Sequence, residues 1–109
     1  MDKCIFCKIA KREIPKEFLY EDDDIMVFHD IHPRKPIHML IIPKQHIEEI
    51  LKVSHPEIFS KIFTIVQEMA KKSELRGKGF QISINGGGAQ EINHFHVHLM
   101  GPVEKSKTL

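Results

Sequence analysis

Three histidines alternate along one short segment of the chain. His94, His96 and His98 are each separated by a single residue, in a chain with eight histidines in all. In an extended strand, residues two apart point to the same side, so the imidazoles form one row and the intervening apolar side chains face the core. The opposite orientation would bury three imidazoles and expose three apolar side chains, and both changes would destabilise the fold. Such a row can hold a metal ion, supply a nucleophile with hydrogen-bond donors, or be a histidine-rich surface without chemistry.

A glycine run lies shortly before this row. Gly86, Gly87 and Gly88 would let a ligand approach the backbone closely, and their N–H groups suit phosphate oxygens. A tight hairpin loop that binds nothing explains the glycines equally well. Residues 94–98 contain no carboxylate that could act as a base beside a zinc-bound water. The combination therefore favours a histidine nucleophile that acts on a phosphate ester.

Two cysteines, Cys4 and Cys7, are spaced as Cys-x-x-Cys near the start of the chain. No apolar run resembles a signal peptide or reaches the roughly 20 residues of a membrane span, so we expect a cytoplasmic protein. In a reducing compartment this spacing is more typical of half a metal site or a redox pair than of a disulfide. A closed zinc site would need two more ligands, and two buried thiols without a metal are the alternative.

The composition describes one ordinary domain. The chain has 109 residues, 41% hydrophobic and 28% charged, with 16 basic and 15 acidic side chains and a net charge of +1. We therefore expect residues 1–109 to form a single domain built on one core. The balanced charge gives no electrostatic reason to expect binding to nucleic acid or to a membrane surface.

The hydrophobic pattern predicts an α+β fold with a mainly antiparallel sheet. Period-two segments predict five strands, at residues 18–20, 25–29, 38–42, 80–85 and 94–99. Short helices are predicted at residues 4–12 and 46–51, and one long amphipathic helix is predicted from Ser54 to about residue 75. The apolar side of residues 80–85 is expected to be half-covered by the long helix.

The ends of the long helix are marked by residue type. Ser54 and Glu57 have the spacing of a capping box, and Pro56 fits in the first turn, where its missing N–H is not needed. Gly77 is expected to end the last turn in the left-handed conformation.

The histidine row and five other blocks resemble the histidine-triad family, in particular its Hint-like branch. The segment from His94 to Met100 is similar to the His-x-His-x-His motif of that family. The other blocks follow in matching order, and the resemblance covers nearly the whole chain. The five other blocks are residues 4–9 together with 13–15, residues 28–31 together with Pro33, the single residue His38, residues 42–46, and the single residue Gln90.

The resemblance implies a nucleotide hydrolase or transferase that acts at the α-phosphate of nucleoside monophosphate conjugates. A purine nucleoside phosphoramidate is the implied substrate. His96 would form a covalent nucleotidyl-histidine, a role that suits neutral imidazole near pH 7. His98 and His38 would stabilise the developing phosphate charge, and this step needs no metal.

The resemblance also implies a nucleoside pocket, a zinc site and a homodimer. Ile5, Phe6, Ile9, Phe28 and His29 would surround the base, although Phe6 and Phe28 would also suit ordinary core packing. Asp30 would accept from the ribose hydroxyls, and Asn85 and Gln90 would contact the phosphate side. Glu91 lies where the Hint-like branch often has a hydroxyl residue, on the side of the leaving group. Zinc would be held by Cys4, Cys7, His46 and His94, and the dimer would form through the long helix and a neighbouring strand.

Two other functions remain open at this point. One is a Fhit-like hydrolase that prefers dinucleoside polyphosphates, and the other is a zinc-stabilised nucleotide-binding module with little turnover. The second is mildly disfavoured, because binding alone does not require a histidine at position 96.

Overall fold

The computed structural model describes residues 3–105 and contains one five-stranded antiparallel sheet. The predicted α+β class is confirmed, whereas residues 1–2 and 106–109 of the predicted domain lie outside the described residues. The strands are β1 (Tyr20–Glu21), β2 (Ile25–His29), β3 (Ile37–Pro43), β4 (Gln81–Ser83) and β5 (Val97–Gly101), and their spatial order is β1-β2-β3-β5-β4. The helices are α1 (Ile5–Ala10), a 3-10 turn (Ile50–Lys52) and α2 (Glu57–Lys72).

Strand β3 is central and sets the register of the site. Leu40 pairs with Phe28 of β2 on one side and with His98 of β5 on the other. His38, two residues earlier, shares the face of Leu40 because strand residues alternate. This register places His38 and His98 on the same face of the sheet.

The two faces of the sheet carry separate cores. Helix α2 covers one face, where its buried side chains pack against Val27, Ile41, Val97 and Leu99. Helix α1 covers the other face, where Phe6 and Ile9 pack against residues of β2 and β3. The apolar residues between the histidines belong to the α2 core, so the histidines lie on the α1 face, as the alternation predicts.

Both predicted ends of α2 are wrong. The helix begins at Glu57 after Pro56, which already has helical dihedral angles, and no side chain caps this end, so Ser54 does not form a capping box. At the other end α2 stops at Lys72 and Glu74, with φ of 62°, is the left-handed residue beside the helix end; Gly77 is also left-handed, with φ of 77°, but it lies beyond the last turn. The chain turns early because Leu75 is fully buried in the core.

Three further segments differ from their predictions. The strand predicted at 94–99 begins at Val97 and continues to Gly101, so His94 and His96 lie in the segment before it. Residues 46–51 do not form a helix, and only the 3-10 turn at Ile50–Lys52 is present. In the predicted strand at 80–85, only Gln81–Ser83 pair with β5, and Phe80 and Ile82 remain 44% and 39% exposed. The expectation that α2 half-covers this segment holds only for Ile84, which packs against the α2 core, because β4 is an edge strand of the sheet. Among residues 3–105, none of the helices has the length and apolar character needed to cross a membrane.

Candidate active site and metal centre

His96 lies just before β5 and lines an apolar cleft. It is 5% exposed, and its Nδ1 lies 2.7 Å from the backbone carbonyl oxygen of His94. A carbonyl oxygen only accepts hydrogen bonds, so Nδ1 carries the proton and Nε2 of the neutral ring has a free lone pair. Phe6 packs edge-on against this ring, with centroids 5.2 Å apart. His96 therefore has the tautomer and the restricted orientation that a nucleophile needs.

Successive hydrogen bonds determine the proton positions on His38 and His98. The backbone N–H of Arg34 donates to His38 Nδ1 at 3.1 Å, so neutral His38 carries its proton on Nε2. That Nε2 lies 2.9 Å from His98 Nδ1 and donates to it. The Arg34 guanidinium lies 3.4 Å from the same Nδ1. His98 must then carry its own proton on Nε2, where it can donate to an oxygen of a bound ligand.

Burial keeps these two histidines neutral. It is the largest cause that lowers the pKa of His98 to about 4, and nearby His96, His38 and Arg34 add to the effect. Burial also lowers the pKa of His38, against the opposing influence of Asp30, whose carboxylate lies 3.5 Å from His38 Nε2. Near pH 7 both rings are neutral hydrogen-bond donors, and Arg34 supplies the permanent positive charge beside them.

The apolar cleft has a volume of about 170 Å³ and lies beside His96 and His98. Phe6 and Phe28 line it and are also 5% and 2% exposed, so both belong to the core and to the site. Asp30 lies at the polar end of the cleft, where its Oδ1 accepts from the N–H of His32 at 2.8 Å. The other lining residues are Ile5, Ile9, Lys16, Ile31, His32, Leu40, Glu91 and Ile92.

A polar cavity of about 350 Å³ lies on the other side of His98. Asn85, Arg34 and Ala89 line this cavity alone, whereas four residues line both spaces. These four are Asp30, His32, Glu91 and His98. A ligand that spans the two spaces would therefore have one end among apolar side chains, the other among polar ones, and its middle beside His98.

Two predicted binding residues lie away from both spaces. His29 is exposed at the end of β2 and is not among the described residues that line the cleft or the cavity. Gln90 is 8% exposed, and its side chain accepts from the N–H of Gly88 at 3.0 Å and donates to the carbonyl of Glu48 at 3.4 Å. Gln90 thus connects the glycine run to the segment before the 3-10 turn.

The glycine run does not offer the open N–H groups that the sequence predicts. The N–H of Gly87 donates to the carboxylate of Glu49, which is 7% exposed and also accepts from the N–H of Leu51. With Gly88 bonded to Gln90, two of the three glycine N–H groups are used inside the protein. Of the two interpretations that the sequence leaves open, these hydrogen bonds favour a loop that is supported from within the protein.

Sequence reasoning missed Arg34 and Glu49. Arg34 lies in a proline-containing loop, where a single arginine carries no pattern. Glu49 gave a weak signal, since it follows buried Ile47 by two residues and an unpaired carboxylate is rarely buried. The contacts of Arg34 and Glu49 could not be predicted from the sequence, because they depend on which groups the folded loops bring next to them.

Cys4, Cys7, His46 and His94 form a cluster around the start of α1, defined here as the metal cluster. Their four potential ligand atoms lie within 4.8 Å of one another. Cys4 Sγ lies 3.3 Å from His94 Nδ1, and Cys7 Sγ lies 3.2 Å from His46 Nδ1. Tetrahedral zinc, with bonds of about 2.3 Å to sulfur and 2.0 Å to nitrogen, needs sulfur–nitrogen separations of about 3.5 Å. The cluster is close enough to bind a metal.

The protonation of the cluster also fits a metal. His94 Nε2 lies 2.7 Å from the Pro43 carbonyl oxygen and must donate to it, so the lone pair on Nδ1 points toward the two sulfurs. Burial lowers the pKa of His94 to about 4, which keeps this lone pair free. Burial, with nearby Cys4, raises the pKa of the Cys7 thiol to about 11, and a divalent cation would supply the positive charge that a thiolate needs.

A second group, Asp30, His38 and His98, is equally close but fits a metal poorly. Binding would require a lone pair on His38 Nε2, and that nitrogen carries the proton because Nδ1 accepts from the Arg34 N–H. The guanidinium of Arg34 would also repel a cation there. The positive charge of Arg34 favours an anionic ligand beside the two histidines instead.

Comparisons with known proteins agree with this geometry. The family model described as scavenger mRNA decapping enzyme C-term binding matches residues 3–109. Protein HitA of Neisseria gonorrhoeae is 45% identical over 105 residues, which are 93% of this chain and 97% of that protein. The purine nucleoside phosphoramidase of Escherichia coli strain K12 is 36% identical over 104 residues, covering 92% of this chain and 87% of that enzyme.

Solved structures show the same similarity in three dimensions. The crystal structure of a HIT family hydrolase from Legionella pneumophila superposes with a TM-score of 0.87 at 38% sequence identity. The match covers 96% of this chain and 97% of that one.

Proposed function

Because the chain belongs to the histidine-triad family, we propose that it is a hydrolase that cleaves purine nucleoside phosphoramidates at the phosphorus–nitrogen bond. The observation that carries the proposal is the tautomer of His96, whose unprotonated Nε2 belongs to a ring that lines the cleft. The phosphoramidase of Escherichia coli, at 36% identity, supports this substrate class over dinucleoside polyphosphates.

The proposed reaction has two displacements at phosphorus. In the first, the lone pair of His96 Nε2 forms a bond to the α-phosphorus, and the phosphorus–nitrogen bond breaks with its electron pair leaving on the amine. The amine takes up a proton from water, while the N–H of His98 Nε2 stays on the ring and donates a hydrogen bond to a phosphate oxygen. In the second, a water molecule attacks phosphorus, the bond to His96 breaks with its electron pair returning to Nε2, and the proton of the attacking water is released to solvent. The products are a nucleoside monophosphate and an amine.

The hydrogen bonds from Arg34 through His38 to His98 support charge stabilisation. Each group donates to the next, so the N–H of His98 Nε2 is oriented before the substrate arrives. Preorganised donors of this kind stabilise a transition state without reorganising during the reaction. The base would lie in the apolar cleft against Phe6 and Phe28, and Asp30 would accept from the ribose hydroxyls.

The metal cluster is proposed to bind zinc in a structural role. Zinc would connect α1, which carries Phe6, to the segment that contains His94 and His96. The fit of the four ligand atoms and the tautomer of His94 support this choice. When bound, the ion supplies a rigid cross-link, and the histidines used in the reaction are not among its ligands.

The enzyme proposal is tested by replacing the nucleophile. His96→Ala should reduce hydrolysis of a fluorogenic adenosine phosphoramidate by at least about a thousandfold, because the covalent route is lost. His55→Ala, which removes a 70% exposed histidine far from both spaces, is the matched control and should keep wild-type turnover. Quenching the wild type in alkali, in which a phosphorus–nitrogen bond to histidine survives, should trap a nucleotide on His96.

Three outcomes would reject or change the proposal. Equal activity of wild type and His96→Ala would reject a histidine nucleophile. Tight binding of adenosine monophosphate without turnover would identify a nucleotide-binding module. A larger kcat/KM for diadenosine polyphosphates than for the phosphoramidate would favour the Fhit-like alternative.

A further inference from the structure

Glu91 lies where the apolar cleft and the polar cavity meet. It is one of the four residues that line both spaces, together with His98, and it is exposed to solvent. If the nucleoside occupies the apolar cleft and phosphorus lies beside His96 and His98, the leaving group extends into the polar cavity. Glu91 would then lie beside the first atoms of the leaving group.

The other charged groups of the polar cavity already have partners. Asp30 accepts from the N–H of His32 and approaches His38, and Arg34 approaches His98. Among residues 3–105, Glu91 forms neither an ion pair nor a hydrogen bond. Its carboxylate is therefore available to a ligand.

The backbone beside Glu91 is held in place. The neighbouring Gln90 is buried and bonds both to Gly88 and to Glu48, and the Gly87 N–H bonds to Glu49. These contacts attach the loop to Glu48 and Glu49. The carboxylate of Glu91 is thus presented from a supported loop rather than from a free one.

We propose that Glu91 selects substrates whose leaving group carries a positive charge. This inference rests on the proposed function and narrows its substrate class to phosphoramidates of diamines or of amines with a second, cationic end. A fixed negative charge beside the leaving group attracts an ammonium group and repels the polyphosphate chain of a dinucleoside polyphosphate. Because the carboxylate is exposed, the preference it gives is about fivefold.

The test uses two adenosine phosphoramidates that differ in one terminal group. One has 1,3-diaminopropane as its leaving group and the other has butylamine, so an ammonium replaces a methyl group at equal length. The measured quantity is the ratio of kcat/KM for the cationic substrate to that for the neutral one. A ratio within one preparation is independent of the fraction of folded enzyme.

Wild type should show a ratio of about five, and Glu91→Gln should bring it close to one. Glu48→Gln removes a carboxylate that lines neither space and should keep the wild-type ratio. Raising the salt concentration should lower the wild-type ratio and leave that of Glu91→Gln unchanged.

Two results would overturn the inference, and they can be told apart. If wild type hydrolyses both substrates at rates that depend on His96, but with a ratio that Glu91→Gln does not change, the role of Glu91 is wrong and the proposed function stands. If neither substrate is hydrolysed faster than by His96→Ala, the proposed function fails and the inference fails with it.

Discussion

Histidines of one motif have different protonation because their partners differ. His96 faces a carbonyl oxygen through Nδ1, whereas His98 receives a hydrogen bond at its own Nδ1. The first arrangement leaves an unprotonated Nε2 and the second leaves an N–H at Nε2. The same residue type, two positions apart, thus provides a free lone pair at one position and a hydrogen-bond donor at the other.

The buried histidines predict how stability depends on pH. The pKa of His98 is about 4 in the folded protein and near 6.5 when unfolded, so between these values the unfolded chain binds more protons. Stability should therefore be complete above about pH 6.5, fall as the pH decreases toward 4, and level off below. In His98→Asn the free energy of unfolding should fall less steeply with decreasing pH, and its slope should differ from that of wild type by about 1 kcal/mol per pH unit or less.

Urea unfolding at pH 7, 6 and 5 measures the free energy of unfolding and its slope with pH. His55→Asn, at an exposed position, should keep the wild-type slope. His94 contributes in the same direction in every variant, so only the difference between slopes is compared. An unchanged slope in His98→Asn would contradict the assignment of His98 as a buried neutral group.

The role of a residue could be predicted from the sequence where the residue belongs to a repeating pattern. It could not be predicted where the role depends on a contact made by a loop. The alternation of His94, His96 and His98 correctly predicted that the apolar residues between them face the core, although only His98 lies within a strand. The role of Gly87 and Gly88 stayed open, because their N–H groups meet Glu49 and Gln90, which fold back onto the loop. Contacts of this kind depend on tertiary structure, and residue type alone does not indicate them.

At the scale of elements, helix α1 has too few residues to be stable alone. Its six residues are capped by Cys4 and packed against the sheet by Phe6 and Ile9. An isolated helix of this length does not form in water, so its position depends on packing and, under the proposed function, on bound zinc. Helix α1 also supplies one wall of the apolar cleft, and the proposed zinc would therefore affect substrate binding.

Metal removal should therefore weaken both stability and binding. Native protein should contain about one zinc per chain, and Cys4→Ser should lose most of it. The variant should unfold at a lower temperature and show a higher KM, because Phe6 is no longer held. His55→Ala should keep its zinc and both properties. Less than a tenth of an equivalent of zinc in the native protein would reject the zinc site.

The elements themselves were largely predictable, and their ends were not. The positions of the strands and of α2 follow from hydrophobic period, which extends over many residues. The ends of α2 depend on single residues, and Pro56 and buried Leu75 outweighed the signals of Ser54 and Gly77. The exposure of β4 depends on its place at the edge of the sheet, which no local pattern specifies.

At the scale of the whole molecule, one segment serves two sites. His94 belongs to the metal cluster through its side chain, while its carbonyl oxygen accepts from His96. A displacement of His94 would therefore change the tautomer and orientation of His96 as well. The two sites are coupled through a single residue.

The exposed edge of β4 leads us to expect that two copies of the chain associate, as the family resemblance implies. Within the described residues β4 pairs only with β5, and it leaves Phe80 and Ile82 exposed beside an unpaired backbone edge. Pairing of two β4 edges would bury these side chains and satisfy the free N–H and C=O groups.

Light scattering at micromolar concentration should give the mass of a dimer for wild type and of a monomer for Ile82→Glu. Leu51→Glu, at a position 81% exposed and outside β4, should remain dimeric. A monomeric wild type, or a dimer that survives Ile82→Glu, would show that this edge is not the contact between copies.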